Sequence, residues 1–258
     1  MVTIGNFNLE LPPGHNLGEI YRNKPSYQFT PWKHVLSILE KSGHSIPLVD
    51  IGANIGDSAA HFRSYSNAEI FCFEADPTFF SYLEKNSKIL GNIKNVEALV
   101  VKNSKKNYKF MVGNQTGHIA EVGEKAGIYG GLKLELIDVL NINKNKPCVL
   151  KTDCDGYDQV LIGEAIKLID KKQEFPVIFS EGPSEDQMNK GNWKQYNRLI
   201  KKLINRKYIV HIYSNHGEIL TSTSSSKVVK TYFKELQKGL RVQKGMCHYF
   251  DFIFEKID

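Results

Sequence analysis

The chain has 258 residues, 41% of them apolar and 24% charged, with 34 lysines and arginines against 28 aspartates and glutamates for a formal net charge of +6. That length and apolar content suffice for one large domain with a buried core and exclude general disorder. The charge excess is too small for a nucleic-acid coat protein, and no segment approaches the roughly 20 apolar residues of a membrane-spanning helix.

Residues 1–13 lack a basic start followed by an apolar run, so the expectation is a cytoplasmic protein without a transmembrane segment. Cys72, Cys148, Cys154 and Cys247 form no Cys-x-x-Cys pair and read as reduced thiols rather than a disulfide frame or zinc cage. Residues 11–27, with Pro12, Pro13, Gly14, His15, Tyr21 and Tyr27, follow no period and read as an ordered arm or lid. Trp32, Val35, Leu36 and Leu39 predict a helix over 31–42, with Gly43 as its stop. From there, short runs rich in Val, Ile and Phe alternate with helical stretches, the signature of βαβ units and a mostly parallel sheet. The predicted strands are 46–52, 69–74, 95–101, 147–153, 176–181, 207–213 and 248–254. Residues 108–112 offer an extra strand, 113–131 read as a long Gly-rich loop, and 222–226 read as a polar turn open to nicking.

The first strand runs into Asp50-Ile51-Gly52-Ala53-Asn54-Ile55-Gly56-Asp57, an acidic-x-Gly-x-x-x-Gly turn that opens a helix. Gly52 permits a sharp turn with bare backbone facing a ligand, and Gly56 lets the helix start pack close to the strand. The Gly-x-Gly-x-x-Gly dinucleotide spacing is absent, which argues against a nicotinamide-dependent dehydrogenase. About twenty residues on, the second strand ends in Phe73-Glu74-Ala75-Asp76-Pro77, where a carboxylate beside the first loop can accept hydrogen bonds from both hydroxyls of a ribose. The fourth strand ends in Lys151-Thr152-Asp153-Cys154-Asp155-Gly156-Tyr157-Asp158, and the fifth in Glu181.

Together these three segments resemble the FkbM family of S-adenosylmethionine-dependent methyltransferases, over most of the chain from residue 46 onward. The resemblance implies a Rossmann-like class I methyltransferase: a seven-stranded, mostly parallel sheet with helices on both faces and a reversed final strand. It divides the chain into an amino-terminal arm and helix, 1–45, as a lid over the acceptor site, and a methyltransferase domain, 46–258. It also implies S-adenosyl-L-methionine as cofactor and methyl transfer to a hydroxyl of a carbohydrate or related small molecule, in glycan or natural-product biosynthesis. Asp50, Gly52 and Asn54 fall to the methionine side of the cofactor, Glu74 with Ala75 to the ribose side, and Ala53 and Gly56 join them as cofactor-binding residues of the loop. Two departures stand out: Cys154 and Asp155 replace the family's bulky aliphatic residue and Glu, and Ala75 replaces a Pro. The first keeps open a second reading, a catalytically inactive cofactor-binding scaffold.

An alcohol acceptor must lose its proton, which assigns the catalytic side to Asp153, Asp155 and Glu181 at the carboxyl ends of their strands. On an extended strand, residues i and i+2 point the same way, so Asp153 and Asp155 would share a face, with Lys151 pairing to Asp153. Capping of the following helix is the plainer role for the two aspartates. Two carboxylates are too few oxygen ligands for a metal, and none is assigned. His15 and His118 lie in irregular segments as alternative bases, while His61 reads as a packing or surface residue. Lys194, Arg198, Lys201, Lys202, Arg206 and Lys207 form a cationic face on an amphipathic helix. Beyond simple solvation, that face suggests an anionic acceptor or peripheral membrane contact. No aromatic platform accompanies it, so nucleic-acid binding is not expected, and oligomeric state is not legible.

Overall fold

A computed structural model describes residues 1–257 apart from 25, 43–44, 113–116, 123–127, 184–187, 189–190 and 243–248. A small hairpin, β1 (Val2–Ile4) and β2 (Phe7–Leu9), leads into helices α1 (Leu17–Asn23) and α2 (Phe29–Ser42). The arm is therefore more regular than its sequence suggests: α1 is a seven-residue helix with only Leu17 buried, too short to print a period. Gly43, Cys247 and parts of the Gly-rich stretch lie outside the described residues.

Then come β3 (Leu48–Ile51), α3 (Asp57–Arg63), β4 (Ile70–Glu74), α4 (Pro77–Leu90), β5 (Ile93–Glu97), β6 (Leu99–Val101), β7 (Tyr108–Val112), β8 (Gly117–Glu121), β9 (Lys133–Glu135) and α5 (Leu136–Ile142). The remainder is β10 (Val149–Thr152), α6 (Asp158–Ile169), β11 (Val177–Glu181), α7 (Trp193–Ile204), β12 (Tyr208–Ser214), β13 (Ile219–Thr223), α8 (Ser226–Val242) and β14 (Phe250–Lys256). The main sheet has eight strands in the order β13-β12-β14-β11-β10-β3-β4-β5. From β5 to β11 neighbours run parallel, and the last strand of the chain, β14, inserts antiparallel between β11 and β12.

The expected strand count is one short. β13 pairs antiparallel with β12 at the sheet edge. Its sequence, Ile219-Leu220-Thr221-Ser222-Thr223, has no residue buried, as suits an edge strand, and its two apolar residues are adjacent, so it shows no apolar alternation to read. The predicted strand over 95–101 is two elements: the chain leaves the sheet at Ala98, and β6 pairs instead with β9. The loop predicted over 113–131 contains β8, which pairs antiparallel with β7.

Alternation along the buried strands feeds two apolar cores, one on each face. Val49, Ile51, Phe71, Phe73 and Leu150 join the core under α5, α6, α7 and α8. Leu48, Ile70, Cys72, Val149 and Ile253 join the other, with α2, α3 and α4; Val2, Leu9 and Trp32 of the amino-terminal segment belong to this same core. Cys72, Cys148 and Cys154 are free and buried. No helix among the described residues is long and apolar enough to cross a membrane.

Candidate active site

At the carboxyl ends of β3, β4, β10 and β11 the connecting loops converge. Gly52 has φ +77°, and a Cβ added there would stand 2.0 Å from the Asp153 carbonyl oxygen, so only glycine lets the β3 and β10 loops touch. Its N–H and that of Ala53 both donate to the Phe73 carbonyl, at 2.9 and 3.1 Å, which locks the turn onto β4. Gly56, at φ +90°, faces Leu83 of α4 rather than the strand.

Glu74 ends β4 and is buried, with its carboxylate fully engaged by backbone. Oε2 accepts from the Asn54 N–H at 2.8 Å; Oε1 accepts from Ala75 N–H at 2.9 Å and Asp76 N–H at 2.8 Å. Burial pushes its pKa up to about 7 against the pull of those three donors. Asp76 then caps α4, accepting from Thr78 and Phe79 N–H, with Pro77 in the first turn.

Two cavities open beside this frame. The first is rimmed by Gly52, Asn54, Glu74 and Ala75 and walled by Phe79, Ala98, Leu99, Phe110 and Ile119. The second, of about 250 Å³, is lined by His15, Tyr27, Asp57, Lys151, Glu181, Tyr249 and Asp251. Gly52, Asn54, Asp153 and Asp155 line both and mark where they join.

Of the residues read from sequence, Gly52, Asn54, Glu74, Ala75, Asp153, Asp155 and Glu181 come together on these walls. Asp50, Ala53 and Gly56 line neither cavity and stand behind the loop. Asp50 is fully buried opposite Lys151, whose Nζ lies 3.2 Å from Asp50 Oδ1 and 3.3 Å from Asp153 Oδ2. Burial raises the Asp50 pKa to about 6, opposed by Lys151. Burial also penalises the Lys151 ammonium, but Asp50, Asp153 and Asp57 outweigh it and hold that pKa well above the usual lysine value.

The expected strand alternation of Asp153 and Asp155 does not apply. β10 stops at Thr152, and Asp155 and Gly156 both take positive φ, 44° and 99°. The two aspartates meet because the loop folds back. Asp158 holds that fold: its carboxylate accepts from Cys154 N–H at 3.2 Å and Gly156 N–H at 3.3 Å, and burial pushes its pKa up to about 6. Helix capping by Asp153 and Asp155 is thus unnecessary. Cys154 packs against the β3 end, its Sγ 3.7 Å from the Ile51 carbonyl, so it fills an aliphatic role.

Glu181 and Asp251 face each other in the β11–β14 register. Burial, then the crowding of Asp153 and its neighbours, drives both pKa values well above the carboxylate range. Asp251 is 3% exposed and has no hydrogen-bond or ion-pair partner among the described residues. Asp251, Asp57, Tyr27, Tyr249, Phe110 and Ile119 were not singled out from sequence. For Asp251 a signal existed: an acid enclosed in the apolar run Phe250-Asp251-Phe252-Ile253-Phe254, where burial is expected on both faces.

Burial lowers the His15 pKa, opposed by the Asn54 side chain, and its Nδ1 accepts from the Leu17 N–H at 3.3 Å. His61 is buried against the Tyr21 hydroxyl with its pKa lowered to about 3 by desolvation, which fits packing. The side chain of His118 lies outside the described set. The cations of α7 line neither cavity, and Arg206, just beyond it, is engaged by Asp170 at 2.8 Å. An anionic acceptor drawn by that face therefore lacks support, since five carboxylates and a single lysine line the second cavity.

No family model and no curated protein matches the chain. Solved structures do. The plantazolicin methyltransferase BamL, in complex with a triazolic desmethylPZN analog and SAH, is 9% identical with TM-score 0.50, over 93% of this chain and 89% of that one. An O-methyltransferase from Bacillus cereus in complex with SAH is 12% identical with TM-score 0.47, over 95% and 93%. TomG from Streptomyces achromogenes, an O-methyltransferase in complex with SAM, is 10% identical with TM-score 0.46, over 89% and 80%. At such identities the likeness to BamL speaks of architecture alone, and that architecture agrees with the strand order and reversed β14 described above: the chain has the Rossmann-like fold of the class I methyltransferases.

Proposed function

We propose that this protein is an S-adenosylmethionine-dependent O-methyltransferase of the FkbM type, acting on a hydroxyl of a carbohydrate or related uncharged small molecule. The observation that carries the reading is Glu74, a buried carboxylate held by three backbone N–H groups on the rim of an apolar cavity that leads into an acidic one. The residues fit the cofactor. Oε2 of Glu74, which takes a single backbone donor, keeps lone-pair capacity for a ribose hydroxyl, Phe79, Leu99, Phe110 and Ile119 make an apolar slot for a purine, and the carboxylates at the junction suit a sulfonium and an ammonium. S-adenosylmethionine supplies an electrophilic methyl group on its cationic sulfur.

The chain's own residues would orient the acceptor and manage its proton. Asp153, Asp155 and Glu181 accept hydrogen bonds from acceptor hydroxyls and line them up beside Asn54 and Gly52, where the cavities meet. One of these carboxylates takes the hydroxyl proton. Burial and the neighbouring carboxylates raise the Glu181 pKa, which suits it to hold that proton. Tyr27 and His15 of the amino-terminal arm close the other wall, which supports a lid role for residues 1–45.

Calorimetric titration with S-adenosylmethionine and S-adenosylhomocysteine tests the cofactor. Micromolar binding is expected, and Glu74→Ala, which strands three buried N–H groups, should weaken it by roughly 100-fold. Absence of binding, or an unaffected variant, rejects the reading. Release of S-adenosylhomocysteine with polyols supplied then tests turnover, with Asp153→Asn and Glu181→Gln expected to lower kcat. Binding without turnover on any polyol would favour a scaffold.

A further inference from the structure

At the opposite edge of the sheet, three side chains suited to a metal ion come together. His34 on α2, His211 on β12 and Glu255 on β14 each offer a ligand atom, and these atoms lie within 4.8 Å of one another. The register sets the location. Asp251 of the acidic cavity pairs with Glu181 at the carboxyl end of β11, whereas Glu255 pairs with Val177 at its start.

Both imidazoles are oriented through one nitrogen by a hydroxyl. His211 Nδ1 lies 2.8 Å from Ser222 Oγ, while its Nε2 meets Glu255 Oε2 at 3.0 Å. His34 Nδ1 lies 2.5 Å from the Tyr213 hydroxyl, which leaves Nε2 as its ligand atom. The rings stand edge to face with centroids 4.3 Å apart. A polar partner on the non-ligating nitrogen is how metal-bound histidines hold tautomer and ring orientation. A simple His211–Glu255 pair would need neither the second imidazole nor the hydroxyl behind it.

The protonation state agrees with the geometry. Burial lowers the pKa of both histidines, and His211 lowers that of His34 further, the direction that favours the uncharged imidazole. Glu255 pulls the other way, and Lys41 is the cation acting on both rings; its side chain is exposed and can swing away. Glu255 and Lys41 also line a cleft of about 650 Å³, a route for a hydrated ion.

We propose that His34, His211 and Glu255 bind one divalent transition-metal ion, with Zn²⁺ the best match to two imidazoles, one carboxylate and a fourth position for water. The ion would tie α2 to the reversed end of the sheet. Tyr27 and Gln28, which line the acidic cavity, immediately precede α2, so the clasp would steady the arm there. The proposal is independent of methyl transfer.

The test uses full-length protein stripped with chelator. Titration with zinc chloride should give one equivalent bound at micromolar concentration or tighter, and Co²⁺ should show the visible bands of a four- or five-coordinate site. Zinc should raise the melting temperature of the parent protein. His211→Ala should weaken zinc binding by about 100-fold or more, since losing even an outer partner costs about 10- to 100-fold. His34→Gln and Glu255→Gln, at partly exposed positions, repeat the test should His211→Ala fail to fold. Absence of binding, or zinc affinity and Co²⁺ spectra unchanged in both of these, overturns the proposal. So does binding abolished by Asp153→Asn with Asp251→Asn but kept by Glu255→Gln, which would locate the ion in the acidic cavity.

Discussion

The two cavities that join at Asp153 and Asp155 are built on opposite electrostatics. In the first, a lone carboxylate among apolar walls receives three N–H groups. In the second, Asp57, Asp153, Asp155, Glu181 and Asp251 share one cation, Lys151. A satisfied carboxylate is a rigid acceptor whose position costs nothing further when hydroxyl donors arrive. Crowded carboxylates hold repulsion that a bound cation or set of hydroxyls would relieve. One cavity is preorganised by backbone; the other is primed by charge.

The severest way to break this contrast is to remove the shared cation. Lys151→Met strands the fully buried Asp50 and leaves Asp153 unopposed. The loss expected in denaturant unfolding at pH 7 is about 3–5 kcal/mol, the usual cost of orphaning a buried charge. A loss below about 1 kcal/mol would mean that Asp50 is neutral in the fold. Next in size is Glu74→Gln. It keeps the shape but turns an amide toward backbone donors, and should cost about 1.5–3 kcal/mol of S-adenosylmethionine affinity by calorimetry. Asp155→Asn, at the junction, should cost less than half of that, because Asp155 lines both cavities without holding the Glu74 carboxylate in place.

A pH series sharpens the comparison further. The Glu74 pKa rises from 4.5 to about 7 on folding, so between those values the folded chain holds a proton that the unfolded chain has lost. Its contribution to stability is therefore complete below pH 4.5 and is lost as pH climbs through about 7, and Asp50 and Asp158, both at about 6, act in the same direction. Cofactor binding runs the other way, because hydroxyl donors need the ionised carboxylate. Unliganded melting temperature should fall from pH 5 to 7 while affinity rises, by about fivefold between pH 6 and 7. Affinity flat across that interval would show that Glu74 is ionised throughout.

Much of the fold was legible because buried strands announce themselves. Val49, Phe71, Leu150 and Ile178 sit in runs whose two faces are both apolar, and the turns between them end in the residues that frame the site. What stayed hidden lacked such a pattern. β13 has no apolar alternation, only Ile219 beside Leu220, and the bend at Ala98 depends on β9, a strand more than thirty residues downstream that supplies β6 with a new partner. Phe110 and Ile119 reach the first cavity only because β7 and β8 form a hairpin, and a Gly-rich stretch gives no sign of where such a hairpin will fold back. Asp50 shows how one signal carries two messages: an acid in a glycine turn invites a ligand role, and the structure sets it beside Lys151, on the neighbouring strand.

Asp251 yields the smallest and most diagnostic prediction. Its carboxylate is 3% exposed, stands across from Glu181, and has no partner among the described residues, so the unliganded chain gives up stability to keep it. Asp251→Asn, the same size, spares the fold the cost of holding this acid protonated at pH 7 and should raise unfolding stability there by about 0.5–1 kcal/mol. The same change should slow methyl transfer to any acceptor while S-adenosylmethionine still binds the first cavity with near-parent affinity. A variant more stable and fully active would make Asp251 a packing accident. A variant less stable than the parent would mean that the protonated group donates a hydrogen bond, in which case the second cavity is less charged than its residue list implies and an uncharged polyol becomes the stronger expectation for its occupant.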